Sequence, residues 1–169
     1  MADRDAIAEV PIACAWNVHG DAERPDFLAA VAQQLGVRIR PAPNTTTRTD
    51  DRRALWLGPR SWLIVIEPGG AVIDGFEQRR DALNAAGGAL FDVTASRVAF
   101  RMPVALGRVV LAAGCPLDLD ARIFIDGACA QSVFGKIAIL VWRDDPTFTV
   151  MVARSFARDV AHAMRRVAR

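Results

Sequence analysis

Three times in this chain, two strand-length apolar runs stand a few residues apart with turn-forming residues between them. Leu55-Trp56-Leu57 and Ser61–Ile66 flank Gly58-Pro59-Arg60, and Leu90–Val93 and Val98–Met102 flank Thr94-Ala95-Ser96. Ile137–Trp142 and Phe148–Val152 flank Asp144-Asp145-Pro146. Runs this close can pair only by reversing direction, so the spacing predicts hairpins and largely antiparallel sheets.

Helical patterns lie between these runs. Pro25 suits a first helical position, Asp26 suits the positive end of the helix dipole, and Phe27, Val31 and Leu35 recur at spacing four. Gly36 can supply a left-handed stop, so 25–35 is expected to be a helix. Val72, Phe76 and Leu83 share a second helical face, closed by Gly87-Gly88. Pro103 opens a third helix with Leu106, Val109, Val110 and Ala113 as its buried stripe and Gly114 at its end. A last helix starts near Arg154. Phe156, Val160, Met164 and Val167 line one face of it, and Arg158, His162, Arg165 and Arg169 another. Ala128–Phe134 reads as a further strand, preceded by a loop, Cys115–Gly127, with a short apolar island at Ile123–Ile125.

The order is helix, hairpin, helix, two strands, helix, three strands, helix. It predicts an α+β fold of mostly antiparallel sheets with helices, as two fused ferredoxin-like lobes. No internal repeat is visible. Pro41–Asp51, with its prolines and three threonines, reads as a loop or linker. Residues 1–50 are therefore expected to be an N-terminal arm, helix and linker packed on a domain of residues 51–169, a single compact unit overall.

At 169 residues, 52% hydrophobic and 24% charged, the chain has the makeup of a packed globular protein. Its longest strongly apolar run, Ile137–Trp142, is six residues. A bilayer span needs about 20, so no membrane partner is expected. The first residues carry acids where a signal peptide carries bases, which points to a soluble, cytoplasmic protein. Three cysteines, Cys14, Cys115 and Cys129, in no paired spacing argue against a disulfide framework or a zinc site. Net charge is +2, and the basic residues are all arginine except Lys136, so nothing global calls for nucleic acid. Charge is nevertheless uneven. Residues 1–23 hold Asp3, Asp5, Glu9, Asp21 and Glu23 against Arg4, whereas 38–60 and 154–169 are arginine-rich, a distribution that suits docking surfaces.

The catalytic vocabulary is thin. Gly69-Gly70 and Gly87-Gly88 lack the spacing that lets a backbone approach a pyrophosphate, and no nucleophile elbow or zinc-helix motif occurs. Asn17, His19 and Asp21 alternate and on a strand would share a face that could touch a metal, but a polar N-terminal arm is the expected reading. Cys115 follows a helix end, whose dipole has the wrong sign to activate a thiolate. Asp118 lies between Leu117 and Leu119, where desolvation could raise its pKa for proton chemistry, but capping the short turn at Leu119–Arg122 is the expected role. Trp16, in the acidic arm, is the expected partner contact, with Cys115, Pro116 and Leu117 as further interface candidates.

Five segments resemble, in order, the gamma-subunit family of heterotetrameric sarcosine oxidases. They are Leu55-Trp56-Leu57-Gly58-Pro59-Arg60-Ser61-Trp62-Leu63, Leu90-Phe91-Asp92-Val93-Thr94-Ala95-Ser96-Arg97, Gly114-Cys115-Pro116-Leu117-Asp118-Leu119, Gly127-Ala128-Cys129-Ala130-Gln131-Ser132 and Ala153-Arg154-Ser155-Phe156-Ala157. The resemblance runs from about residue 54 to 160. The chain is short for that family, which implies a trimmed N-terminal region. It implies a fold like the folate-binding domain of aminomethyltransferases. It also implies a place in a complex that oxidatively demethylates sarcosine or a related N-methyl amine. The partners so implied are alpha, beta and delta subunits, chiefly alpha, with FAD, FMN, NAD and tetrahydrofolate on the larger chains and none on this one. No catalytic residue and no metal site are expected here. The alternative is a stand-alone folate-binding aminomethyl-transfer protein using Asp118. Leu117 stands where those enzymes carry Asn, and their C-terminal domain is missing, which argues against folate catalysis by this chain.

Overall fold

Strand-length apolar runs separated by Gly-Pro-Arg do pair as a hairpin. In the computed structural model, which describes residues 6–68 and 74–168, Leu55 faces Leu63, Trp56 faces Trp62 and Gly58 faces Ser61, with a register shift between Trp56 and Gly58. Expectations placed on Asp3, Arg4, Asp5, Gly69, Gly70, Val72 and Arg169 lie outside the described residues.

In chain order the elements are β1 (Ala8–Val10), β2 (Cys14–His19), α1 (Pro25–Leu35), β3 (Thr46–Thr49), β4 (Arg52–Gly58), β5 (Ser61–Ile66), α2 (Phe76–Ala85), β6 (Ala89–Asp92), β7 (Arg97–Pro103), α3 (Val104–Ala112), β8 (Cys129–Phe134), β9 (Ile137–Asp144), β10 (Thr147–Ala153) and α4 (Ala157–Val167). They make two five-stranded sheets, ordered β1-β7-β10-β9-β8 and β3-β4-β5-β2-β6, with antiparallel pairing in both. The α+β reading with antiparallel sheets holds.

The chain divides into two compact units, one holding β1 and residues from 96 onward, the other residues 12–95. The division is thus not at residue 50. β2 lies inside its sheet, between β5 and β6, and α1 packs on α2, so the expected arm is integral to the second unit. Thr46–Thr49, read as linker, is an edge strand, because β-branched threonine fits an extended edge. Leu90–Val93 and Val98–Met102 do not form a hairpin: β6 and β7 belong to different sheets.

Each unit follows a β-α-β-β-β-α order completed by one further strand, which is the split β-α-β-β-α-β plan with a third strand between its helices. In the second, β2-α1-β3-β4-β5-α2-β6 folds into the order β3-β4-β5-β2-β6. In the first, β7-α3-β8-β9-β10-α4 folds into the matching order β8-β9-β10-β7, and its last strand position is taken by β1 from the start of the chain. The two lobes therefore share one topology, a repeat that the sequence does not display. Arg165 of α4 donates to the Ile7 carbonyl just ahead of β1 (3.2 Å), tying that returning strand in place.

A core lies between the helix pair and one sheet face in each unit. Phe100, Met102, Phe148, Val150, Val110 and Met164 anchor the first, and Phe27, Val31, Trp62, Ile64 and Leu83 the second. Helix α1 is as expected: Pro25 starts it, Gly36 stops it at φ 65°, and the Gly36 N–H donates to Ala32. Arg52 donates to the Leu35 carbonyl (2.9 Å), a cation at the negative end of that helix. Helix α3 turns its Leu106, Gly107, Val110 and Leu111 face inward, whereas Val109, expected in the stripe, is 60% exposed and Ala113 is also exposed. A side chain at Gly107 would press on Phe148, so α3 offers its bare backbone to that ring. In α4, Val160, Ala161 and Met164 are buried, but Phe156 sits in a 3-10 turn before the helix and is exposed, as is Val167.

Two glycines set how closely helix and sheet approach. A Cβ at Gly107 would lie 2.5 Å from the Phe148 ring, and one at Gly88 would meet the Phe27 ring and lie 2.9 Å from the His19 carbonyl oxygen. Replacing either by alanine is expected to destabilise the protein by about 1–3 kcal/mol. Phe27→Ala is expected to cost about 3–5 kcal/mol. Gly58→Ala, whose Cβ would meet nothing nearer than 4.0 Å, is expected to stay within about 0.5 kcal/mol. Urea titration of the four variants checks the ranking.

Candidate functional site

The loop from the end of α3 to β8 contains most of the residues singled out for function. Cys115 starts it, buried. Its N–H donates to Leu111 (2.7 Å) and its thiol lies 3.4 Å from the Ser132 hydroxyl. A Cβ at Gly114 would sit 3.1 Å from the Phe134 ring, so this end is clamped against β8. Pro116 is exposed, while Leu117 is half-buried and packs on the core of the first unit. Asp118 is exposed, and its Oδ1 accepts the N–H of Asp120 (2.9 Å). It closes a turn, the role expected of an acid at that place. A carboxylate open to water and engaged this way does not fit the desolvated acid that a folate amine would need.

Further along, Asp120 accepts the N–H and Nε of Arg122, both at 2.9 Å, and these bonds hold its carboxyl below the ordinary range. Its carbonyl accepts from Ile123 (3.0 Å) and Phe124 (2.8 Å). Phe124 then turns inward, 5.9 Å ring to ring from Phe148, leaving Ile123 65% and Ile125 57% exposed on either side of it. Arg143 of β9 locks the far end. It donates from Nη1 to the Phe124 carbonyl (2.8 Å), and from Nε and Nη2 to the two oxygens of Asp145 (2.6 and 2.9 Å). Asp126 accepts the Asp145 N–H (2.9 Å), and Gly127 donates to the Arg143 carbonyl (3.1 Å). The hydrogen bond from Arg143 keeps the Asp145 carboxyl below the usual carboxylate range, against the opposing effect of burial and with a further contribution from the Arg143 charge. Two isoleucines are thereby held out into water on a fixed scaffold. The sequence reading noted the apolar island but missed that its flanks face outward; the signal was three consecutive apolar residues in a loop, of which only the middle one can turn in.

The other candidates scatter. Trp16, expected to meet a partner, is 3% exposed and packs 5.6 Å from Phe76 in the core of the second unit. Its ring lies on the sheet face that Phe76 of α2 packs against, which leaves it no access to a partner. Asn17 accepts from Ser61 (3.2 Å), His19 meets the edge of Phe91 at 5.7 Å, and Asp21 pairs with Arg60 (3.0 Å). Each has its own neighbour, and among the described residues no group of three His, Cys, Asp or Glu gathers as a metal site would. Burial and then the charge of Asp92 push the half-buried Cys14 thiol up, away from reactivity. In the arginine-rich segment 38–60, Arg52 and Arg60 are engaged within the chain and Arg53 is buried. No described helix is long and apolar enough to cross a membrane.

Among known proteins, a profile of the sarcosine oxidase, gamma subunit family matches residues 19–165. Sarcosine oxidase subunit gamma of Corynebacterium sp. (strain U-96) is 27% identical over 136 residues, which is 79% of this chain and 65% of that relative, a little under two thirds of its length. A chain of the heterotetrameric sarcosine oxidase from Corynebacterium sp. U-96, solved in complex with pyrrole 2-carboxylate, superposes with a TM-score of 0.84 at 23% identity, over 96% of this chain and 82% of that one. An aspartate kinase from Clostridium acetobutylicum reaches a TM-score of 0.50 at 8% identity over 96% of this chain and 34% of that one, a likeness of fold alone.

The clamp at Arg143 has a pH signature. Because the Asp145 pKa is depressed in the fold, its pairing stabilises the protein above the ordinary carboxylate value of about 3.9 and is lost as pH falls through the lower folded value. Arg143→Gln is therefore expected to melt below the wild type at about pH 6, with the gap narrowing toward about pH 2. Thermal melts of both proteins across that range check it; a gap independent of pH would contradict it.

Proposed function

The chain belongs to the sarcosine oxidase gamma subunit family, and from that premise we propose that it is the non-catalytic gamma subunit of a heterotetrameric flavoenzyme complex. The complex oxidatively demethylates sarcosine or a related N-methyl amine, and this subunit serves the assembly and stability of the larger ones. The partners are alpha, beta and delta subunits, chiefly alpha, and the complex works in the cytoplasm. FAD, FMN, NAD and tetrahydrofolate belong to the other chains, with none bound by this one.

The observation that carries this reading is the loop bearing Ile123 and Ile125. An enzyme site draws polar groups together in a cleft; this loop does the reverse and displays apolar side chains on a rigid frame. Burying a largely exposed isoleucine against a partner contributes about 1.5–3 kcal/mol, and a frame already ordered by Arg143 and Asp120 loses little further entropy on docking.

The purified chain is expected to be colourless and inert toward sarcosine, and to yield a yellow complex when produced with two large flavoprotein subunits and a small Cys/His-rich one encoded beside it. Ile123→Asp with Ile125→Asp is expected to leave the thermal midpoint of the lone chain unchanged while weakening complex formation by at least about tenfold. Turnover of a methylated amine by the isolated chain would refute the reading. Titration calorimetry with tetrahydrofolate is expected to show no heat; binding abolished by Asp118→Asn would favour the aminomethyl-transfer alternative instead.

A further inference from the structure

The shared topology of the two lobes makes one difference between them informative. Helix α2 begins with Phe76, whose ring covers Trp16 on β2. Helix α4, in the same place in the other lobe, begins with Ala157. The two helices share one inward position, Leu83 of α2 and Met164 of α4, each seven residues after the first helical residue. Where the second lobe is filled by a ring, the first has a groove of about 1300 Å³, lined by α4, β1 and β7.

The floor of that groove is apolar, formed by Val98, Phe100 and Ala161, and its rim is basic. Four arginines, Arg154, Arg158, Arg165 and Arg166, stand there with His162, against the two carboxylates of Glu9 and Asp159. Arg154 and Arg165 are fixed by donating to the carbonyls of Arg97 (3.1 Å) and Ile7 (3.2 Å). Among the described residues, the side chains of Arg158, His162 and Arg166 make no hydrogen bond or ion pair, in contrast to Arg52 and Arg60, which are used within the chain.

Size and chemistry select the occupant. Pockets for small ligands hold about 300–1,000 Å³ and enclose what they bind. This groove is larger, and its basic rim is open to water. A nucleic-acid backbone would want an unbroken basic track with aromatic platforms, not an aliphatic floor and two acids. A polypeptide segment that carries carboxylates for the rim and an apolar side chain or two for the floor matches both. We propose that the groove between α4 and β7 seats an acidic, partly apolar segment of a large partner subunit. This rests on the reading of the chain as a subunit and adds a second contact to the Ile123–Ile125 loop, one selected by charge.

The single lysine, Lys136, allows a direct test. In a Lys136→Arg background, Arg158→Lys or Arg166→Lys keeps the charge of the groove and gives it the only side-chain amine in the chain. The complex co-produced with the large subunits is treated with a zero-length carbodiimide and mapped by mass spectrometry. An amide from position 158 or 166 to an Asp- or Glu-rich peptide of a large subunit is expected. Arg158→Glu with Arg166→Glu is expected to weaken the complex on the order of tenfold and to flatten its salt dependence, with the thermal midpoint of the lone chain unchanged. Exposed Arg38→Glu is expected to change neither. A complex that forms without the cross-link and tolerates the double reversal would overturn the groove and leave the subunit reading standing. A cross-link only to a second copy of this chain would overturn it too. No complex at all would remove the subunit reading, and the groove's partner with it.

Discussion

In each lobe the distance between helices and sheet is set by an aromatic ring resting on bare glycine backbone. Phe27 of α1 lies against Gly20 and Gly88, the two glycines that flank the outer end of the β2–β6 pair. Phe148 of β10 lies against Gly107 of α3. Close-packed interiors do not leave room for even one methyl at such contacts. The constraint reaches beyond the core, because Phe148 also meets Phe124, the inward residue of the displayed loop. The ring that fixes α3 on its sheet is the one on which Phe124 is anchored, so Ile123 and Ile125 are aimed by core packing and not by the loop alone.

The duplicated topology puts sequence divergence to use. The same strand order and the same pair of helices recur, with the first lobe completed by a strand borrowed from the start of the chain. The second lobe closes its helix–sheet seam with Phe76 on Trp16 and uses arginines to cap backbone carbonyls, Arg52 on Leu35 and Arg79 on Gln34. The first lobe leaves Ala157 at the equivalent seam, with the Arg158 and Arg166 side chains along the groove beside it. One lobe is built inward and the other outward from a common plan.

Much of this was readable beforehand, for physical reasons that can be named. The α1 boundaries followed from Pro25 and Gly36, and the β4–β5 and β9–β10 hairpins from apolar runs closed by short turns. Strands buried on both faces, such as Ser61–Ile66, show as unbroken apolar runs and are easy to see. The losses came where local pattern and tertiary role diverge. Trp16 and Val18 alternate with polar residues in an acidic stretch, which reads as an arm until β5 and β6 are known to flank it. Thr46–Thr49 has no buried face to announce it. A residue such as Val109 looks like core by spacing alone, and only the close approach of Gly107 to Phe148 turns α3 the other way. The order of elements gives two like lobes, but residue by residue no repeat shows, because one lobe is circularly displaced and takes its last strand from the start of the chain.

The segments that resemble the family turn out to hold the fold's corners. Gly58 faces Ser61 at the end of a hairpin, while Thr94 takes the Ala15 N–H (2.9 Å) and donates to Asp92 (2.6 Å), stitching β6 to β2. Asp118 closes a turn, Cys115 is clamped at the end of α3, and Arg154 fastens the approach to α4 onto β7. None of these brings an acid, a base and a nucleophile to one point. Gly58 and Thr94 fix strand ends within the second unit, and Cys115, Asp118 and Arg154 fix element ends within the first, the unit that also carries the Ile123–Ile125 loop and the groove along α4.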